Sequence, residues 1–515
     1  MLSSFGAQHV DMASTAEDAL AKCKFDFYDI ILCDFNLGHG KNGQQVLEAL
    51  RSTKRIKHVH LFIMITAETA KDVVLGAREY QPDAYIAKPI TRTVLEQRLG
   101  HLIKQQKILK PINKEIDLEN HSKAITLCHR LIADKTRYQS WCYQTLGKLY
   151  LKIGDSDNAI KIYKLVLSGR EVPWAHLGMG QALQQSNKLQ EAIECYESAI
   201  KQNPNMVEAY DGVSQCQLAL GQNKKAQESL QKAVNLSPRI VTRQEKLGSV
   251  CEQNQDIESA ANAFRHAVKF AEHSIHENSK HYLNLGRCLS EWGESIEGNE
   301  AKHVADEAIN VLETVSNKFS NDEDACLSAT LIETRVFQSQ DNPEAAQNKL
   351  HQAECIIEEE NLSIDVGLDF AKTLYSMGQA NRAEDLLVGL AKKFENESEI
   401  IQKIESLLDE PESLTVRKQA KELNKSGIQQ FEQSKLSEAI DAFGKALAFT
   451  PKHAALNLNF VQVMIKQYKE NKDPDLLKTA RTCLDRIKHI PEQHNQFKRM
   501  KHLEKKINKL TQLKI

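Results

Sequence analysis

Residues 29–43 read Asp29-Ile30-Ile31-Leu32-Cys33-Asp34-Phe35-Asn36-Leu37-Gly38-His39-Gly40-Lys41-Asn42-Gly43. An apolar run stops on a carboxylate and opens into a glycine-rich loop. Ile30-Ile31-Leu32 has no polar alternation, which suits a strand buried on both faces of a parallel sheet. Chemistry in such sheets gathers just beyond the carboxyl ends of the strands, where Asp34 falls. The flanking sequence alternates in the same way, strand pattern then helix pattern. Strands are predicted at Gln8–Ala13, Ile30–Asp34, His60–Thr66 and Ala84–Ala87, with helices near Thr15–Lys22, Gly43–Thr53, Lys71–Tyr80 and Thr91–Leu109. That order predicts an α/β doubly wound domain over residues 1–106.

Three predicted strands end on polar groups: Asp34, Thr66 and Lys88, the last followed by Pro89. They are 32 and 22 residues apart, one strand–helix unit each, so the topology brings them to one sheet edge. A carboxylate that accepts a phosphoryl group needs such neighbours. An ammonium balances the phosphoryl charge and a hydroxyl hydrogen-bonds one of its oxygens.

With Ile31-Leu32-Cys33-Asp34, Ile65-Thr66-Ala67 and Tyr85-Ile86-Ala87-Lys88-Pro89 in this order, residues 1–106 resemble the receiver domain of two-component response regulators. The resemblance implies that Asp34 is the phosphoacceptor, that Thr66 and Lys88 contact the phosphoryl group, and that Tyr85 is the switch aromatic. It also implies Mg²⁺ on Asp34 and on the Asn36 backbone carbonyl, completed by an acidic pair at the end of a central first strand. The sequence passes from Leu2-Ser3-Ser4-Phe5-Gly6 straight into the pattern of the second strand, so the receiver is read as lacking strand 1 and its acidic pair. Asp11, Glu17 and Asp18 stand at the wrong place to substitute. The expectation is that an upstream reading frame supplies the strand, and that Mg²⁺ binds well only if it does. Gly38-x-Gly40-x-x-Gly43 formally matches a dinucleotide fingerprint. That motif needs an acid on the following strand, and Leu61–Thr66 has none, so the glycines are read as turn formers.

Beyond residue 106 the two-residue alternation gives way to helical spacing and a repeat. Gly147, Ala159 and Tyr163 are followed by Gly180, Ala192 and Tyr196, then by Ala226 and by Ala260 with Phe264. The alanines step by 33, 34 and 34 residues. The set returns at Gly427, Ala439 and Phe443. The pattern resembles the tetratricopeptide repeat (TPR), a 34-residue helix–turn–helix. Small residues let paired helices close up, and the aromatic four residues after the alanine fills the space between repeats. The prediction is an all-α TPR helical solenoid at 107–394, irregular after about 295, an acidic break at 395–412, and a last repeat with capping helices at 413–515. Such arrays offer extended concave surfaces to peptides or proteins. Lys421, Asn424 and Lys425 partly match the clamp that some members use on C-terminal carboxylates. Met500, Leu503, Ile507 and Leu510 form an apolar seam on a basic last helix, read as a solenoid cap or a seam for self-association. His273, His276 and His281 lack the spacing of a metal set and are read as a surface loop. Glu48-Ala49-Leu50 spells a tripeptide of cyclic-dinucleotide phosphodiesterases, but it stands alone.

Composition bounds the rest. A chain of 515 residues exceeds one hydrophobic core. Its formal net charge of −2 and its lack of a helix-turn-helix with a basic patch argue against DNA as partner. The eleven cysteines are scattered singly, as in a reducing cytoplasm. With a mean hydropathy of −0.47 and no long apolar run, neither a membrane span nor a signal peptide is expected. Taken together, the sequence predicts a cytoplasmic, non-enzymatic response regulator. Its partners would be a histidine kinase or phosphotransfer protein and a protein ligand of the array. A TPR scaffold with an inert receiver is the alternative, and a nucleotide-dependent enzyme is the third reading.

Overall fold

The computed structural model describes residues 5–67, 82–357, 361–407, 414–450, 453–487 and 497–512. The chain forms two compact units, Met1–Asn342 and Pro343–Ile515.

The first unit opens with a small parallel sheet. Strands β1 (Ile30–Asp34), β2 (Leu61–Thr66) and β3 (Ala84–Ala87) lie in the order β1-β2-β3. Register runs from Ile30 opposite Leu61 to Asp34 opposite Ile65, and from Ile63 opposite Ala84 to Thr66 opposite Ala87. The middle strand is the most buried: Phe62, Ile63 and Met64 are fully enclosed. Helices α1 (Ala16–Phe25) and α2 (Gly43–Ser52) pack on one face. Their core is Ala16, Cys23, Val46, Leu47 and Leu50 with Phe62 and Met64 of the sheet. Ile63 and Ile86 meet Leu95 and Leu99 of helix α3 (Arg92–Asp117).

One expectation changes here. Residues 8–13 are exposed and form no strand. In the doubly wound order 2-1-3-4-5 the second strand pairs only with the first. Gln8–Ala13 therefore has no backbone partner in this sheet, and an unpaired strand is not a stable state. The helix expected at Lys71–Tyr80 lies outside the described residues.

Helix α3 has no linker after it. Its first half buries Leu95 and Leu99 under the sheet, while Ile112, near its end, joins the core of the first helical repeat with Ala124, Cys128, Cys142 and Leu146. One helix thus belongs to two cores. From there antiparallel helices follow in pairs: α4 (His121–Ala133), α5 (Gln139–Lys152), α6 (Ser156–Gly169), α7 (Pro173–Gln185), α8 (Leu189–Gln202), α9 (Val207–Ala219), α10 (Asn223–Leu236), α11 (Val241–Gln253), α12 (Ile257–Ala271), α13 (Ser279–Ser295), α14 (Asn299–Lys318) and α15 (Glu323–Ser339). Aspartates cap several of them, Asp155 accepting from the Asn158 amide and Asp256 from the Ser259 amide. Pairing continues past residue 295, where the sequence period fades, because the longer α14 still buries Val304, Ala308, Leu312 and Val315.

The repeat residues meet as close packing requires. Ala159, Ala192, Ala226 and Ala260 are all fully buried. The Tyr163 ring sits between α5 and α7: a Cβ at Gly147 would lie 2.3 Å from its Cζ, and one at Gly178 would lie 2.2 Å from it. Tyr196 stands likewise between Gly180 and Gly212, and Phe264 lies against Gly248. Gly178 and Gly212 escaped the sequence reading, which expected one glycine per repeat.

The second unit is helical too: α16 (Pro343–Glu354), α17 (Ile364–Ser376), α18 (Ala380–Lys393), α19 (Ser398–Leu407), α20 (Leu414–Glu432), α21 (Leu436–Phe449), α22 (Ala454–Asn471), α23 (Pro474–Arg486) and α24 (Phe497–Gln512). Gly427 packs on Phe443, and Ala439 is fully buried. The acidic stretch 395–412 is not wholly a break, because α19 lies within it and Ile404 is buried against Leu387 and Leu390. Met500, Leu503 and Ile507 are buried against α22 and α23, so the seam offered for self-association is covered by the chain itself. Among the described residues, no helix is long and apolar enough to cross a membrane.

Candidate functional site

Parallel pairing carries the three strand ends to one edge. Asp34 closes β1, Thr66 closes β2, and Lys88 follows β3 directly, its amide donating to the Thr66 carbonyl at 2.8 Å. The Lys88 ammonium forms an ion pair with Asp34 Oδ2. Asp34 Oδ1 accepts from the Asn36 amide at 3.2 Å. The Asp34 side chain is 31% exposed and that of Lys88 43%, so a reagent can reach the pair from solvent. Thr66 is buried beside them, and half-buried Tyr85 joins the core of Val46, Leu47 and Phe62. Neighbouring Cys33 does not compete as nucleophile. Burial, with the Asp34 charge beside it, pushes its thiol up to about 12.

The loop after Asp34 is tightly built. The Gly43 amide donates to the Phe35 carbonyl at 2.9 Å, and a Cβ on Gly43 would fall 2.2 Å from the Asp34 carbonyl oxygen. Only glycine lets α2 begin this close to the acceptor. Gly38 and Gly40 both have φ of +89°, the turn role read for them. Asn42 and Gln45 form a reciprocal capping box at the start of α2, so these amides are engaged within the protein rather than offered to a nucleotide phosphate.

Among the described residues, Asp34 and the Asn36 carbonyl are the oxygens at this edge that would hold Mg²⁺, which otherwise keeps waters and phosphoryl oxygens as ligands. Both Asp34 carboxylate oxygens are engaged here, by Lys88 and by the Asn36 amide. Among the described residues, no group of three or more His, Cys, Asp and Glu could hold a metal.

The histidines share no metal site, and they are not simply a surface loop. His281 is buried in α13, and its Nε2 donates to the His276 carbonyl at 2.8 Å. His276 Nε2 lies 2.5 Å from Glu48 Oε1 of α2. The Glu48-Ala49-Leu50 tripeptide therefore supplies a buried carboxylate facing the array. Gln44 and Glu48 stand one turn apart and both are buried. They share the polar side of α2 with Arg51 and Ser52, so nothing in the sequence signals that this side is covered. A second contact also escaped notice. Asp117, at the end of α3, accepts from the His58 and Val59 amides at 2.9 and 3.1 Å, and Gln106 and Asn113 donate to the His58 carbonyl.

In the second unit Asn424 accepts from Asn459 at 3.1 Å, and Arg499 donates to Asn459 and Gln462, both at 2.8 Å. Lys425 is exposed, and the side chain of Lys421 lies outside the described residues.

Comparison with known proteins agrees with both halves of this picture. The response regulator receiver domain family matches residues 1–100. Tetratricopeptide repeat families match residues 142–168, 173–206 and 207–240. The chemotaxis protein CheY of Pseudomonas aeruginosa is 30% identical over 95 residues, which are 18% of this chain and 73% of that protein. CheY-3 of Vibrio cholerae is 31% identical over 98 residues, 19% of this chain and 72% of that protein. Among solved structures, YrrB, described as a TPR protein with an unusual peptide-binding site, is 19% identical with a TM-score of 0.32, over 42% of this chain and 96% of its own.

Proposed function

The chain belongs to the response regulator receiver family, and on that premise we propose that it is a response regulator of a two-component phosphorelay whose output is protein binding by its TPR array. Asp34 is the phosphoacceptor. The observation that carries this reading is the meeting of Asp34, Thr66 and Lys88 at one sheet edge, with Asp34 paired to Lys88 and open to solvent. A partner kinase or phosphotransfer protein presents a phosphohistidine. One Asp34 carboxylate oxygen attacks phosphorus, the P–N bond breaks, and the imidazole leaves with its electron pair. Lys88 then moves its charge from the carboxylate to the phosphoryl oxygens, and the Thr66 hydroxyl donates to one of them. Tyr85, now half-buried, repacks further inward, as the family resemblance implies.

The test is intact mass of the full chain after treatment with a small acyl phosphate. Wild type is expected to gain one phosphoryl group and Asp34→Asn none. Failure of wild type to gain it under conditions that load a receiver control sinks the reading. A second reading, a TPR scaffold with an inert receiver, is favoured by the engagement of both Asp34 carboxylate oxygens within the protein. It predicts equal capture of array ligands with and without the phosphodonor.

A further inference from the structure

The receiver touches the array where α2 meets the loop between α12 and α13. Lys41 Nζ donates to the His273 carbonyl at 2.6 Å, and Gln45 Nε2 donates to the Glu272 carbonyl at 3.0 Å. Gln45 Oε1 at the same time accepts from the Asn42 amide at 2.9 Å. One carboxamide therefore bridges the start of α2 to the array. Glu48 completes the row through His276. A carboxylate as buried as Glu48 needs a partner, and this histidine supplies it.

The array loop is built to present these groups. His273 adopts φ of +63°, its amide accepted by Glu277 at 3.1 Å. The His276 amide donates to Ser274 Oγ at 3.1 Å, and the His276 carbonyl accepts from buried His281 and from Asn278. Glu277 is tied to Lys318 of α14. The loop is thus held in shape by the array, and its two outward carbonyls and one imidazole meet the receiver.

We propose that the α12–α13 loop is the receiver's docking site on the array, a clamp that grips the acceptor loop and α2 through Lys41, Gln45 and the Glu48–His276 pair. The clamp is the switchable joint of the molecule. It closes on the segment that follows Asp34 directly, so the acceptor loop cannot change shape without straining it. Its signalling consequence rests on the response regulator reading; the docking itself does not.

Charge makes the clamp titratable. The hydrogen bond to Glu48 holds the His276 imidazolium pKa above its ordinary range, against the cost of burial, with Glu48 and Glu245 of α11 adding favourable charge. Glu277 and Glu272 stand in its own loop, and Arg239 and Lys269 line the adjoining cleft with Glu48. With the folded value raised, the contribution is complete below the ordinary histidine range and lost as pH rises through the raised value.

Hydrogen exchange on the full chain, with no phosphodonor present, tests the clamp across its two sides. Glu48→Gln, a change in α2, is expected to speed exchange in residues 272–278 roughly tenfold, and His276→Ala to do the same to residues 43–52. Wild type raised from about pH 6 to about pH 8 should loosen both segments beyond the intrinsic pH effect, and Glu48→Gln should not respond. If each substitution loosens only its own segment, or neither, the clamp is refuted. Because Asp34 takes no part, this outcome is separate from the fate of the phosphoacceptor reading.

Discussion

Gly178→Ala puts a methyl group where the structure has no space for it. The new Cβ would lie 2.2, 2.4 and 2.5 Å from Cζ, Cε1 and Oη of Tyr163. Ordinary contact is about 3.5 Å, so the ring must retreat by more than about 1 Å. Its retreat is closed, since a Cβ at Gly147 on the opposite side would already be 2.3 Å away, and Tyr163 is only 1% exposed. Overpacking of this kind falls near the upper end of the usual range, about 3 kcal/mol. Alanine recovers about 1 kcal/mol through helix propensity. The net loss is about 2 kcal/mol, roughly thirtyfold in local opening. Because stacked repeats open locally and the chain has two units, the assay is hydrogen exchange of peptides in α6 and α7 rather than one global transition. Gly100→Ala in α3 is the control: its Cβ would meet nothing within 4 Å, and it should stabilise by about 0.5–1 kcal/mol. Combining Gly178→Ala with Tyr163→Leu should cost less than the two changes summed, since each relieves the other. A neutral Gly178→Ala, or strict additivity in the pair, refutes the account of the tyrosine as a wedge between small residues.

Two further predictions concern charges in the array. Arg243 of α11 is 4% exposed and binds both oxygens of Asp211 of α9 at 2.9 and 2.6 Å; Arg243→Ala is expected to cost roughly 2–3 kcal/mol, less than a fully enclosed pair because Asp211 stays a quarter exposed, and Arg243→Met with Asp211→Leu should recover most of it, read as exchange in α9 and α11. The α12–α13 loop should be best protected between about pH 4.5 and about pH 6.5. Burial pushes the Glu277 carboxyl up, but hydrogen bonds from Lys318 and the His273 amide outweigh it and hold the group below its usual range, so that tie weakens only as pH falls through the lowered value, while the His276 tie weakens as pH rises; protection that keeps growing from about pH 7 to about pH 9 would contradict the assignment.

What the sequence showed, it showed through period and through order. Strand ends one strand–helix unit apart must share an edge of a parallel sheet, so the sequence alone places Asp34, Thr66 and Lys88 together. Alanines a fixed step apart must share a column. What it hid were contacts made by chance-looking residues from distant segments. Nothing in His276 announces that Glu48, 228 residues away, is its partner. Gly178 was hidden for a different reason: the repeat was read as one glycine facing its own helix pair, whereas Tyr163 needs space on both sides. Gln8–Ala13 failed because strand propensity without a neighbouring strand leaves the backbone unpaired, and pairing is not a local property.

Among the described residues, the receiver is joined to the array at two places of unlike character. At α3 the joint is continuous chain, one helix shared by two cores, pinned at His58 and Val59 by Asp117. Moving it would break apolar packing as well as hydrogen bonds. At α2 the joint is three polar contacts, the charged Glu48–His276 pair worth about 2 kcal/mol net and the other two about 1 kcal/mol each. A device with one fixed and one breakable joint can swing, and the breakable joint is the one beside Asp34. On the proposed reading, a phosphoryl group on Asp34 bears on the loop that carries Lys41. Linkage then runs both ways. Whatever factor phosphorylation takes from the clamp, the closed clamp must take from phosphorylation. Contacts of that size, about 4 kcal/mol together, bound the factor at roughly a thousandfold. A partner that binds the array only when the clamp is open therefore favours the phosphorylated receiver by the same limit, with no contact to Asp34 at all.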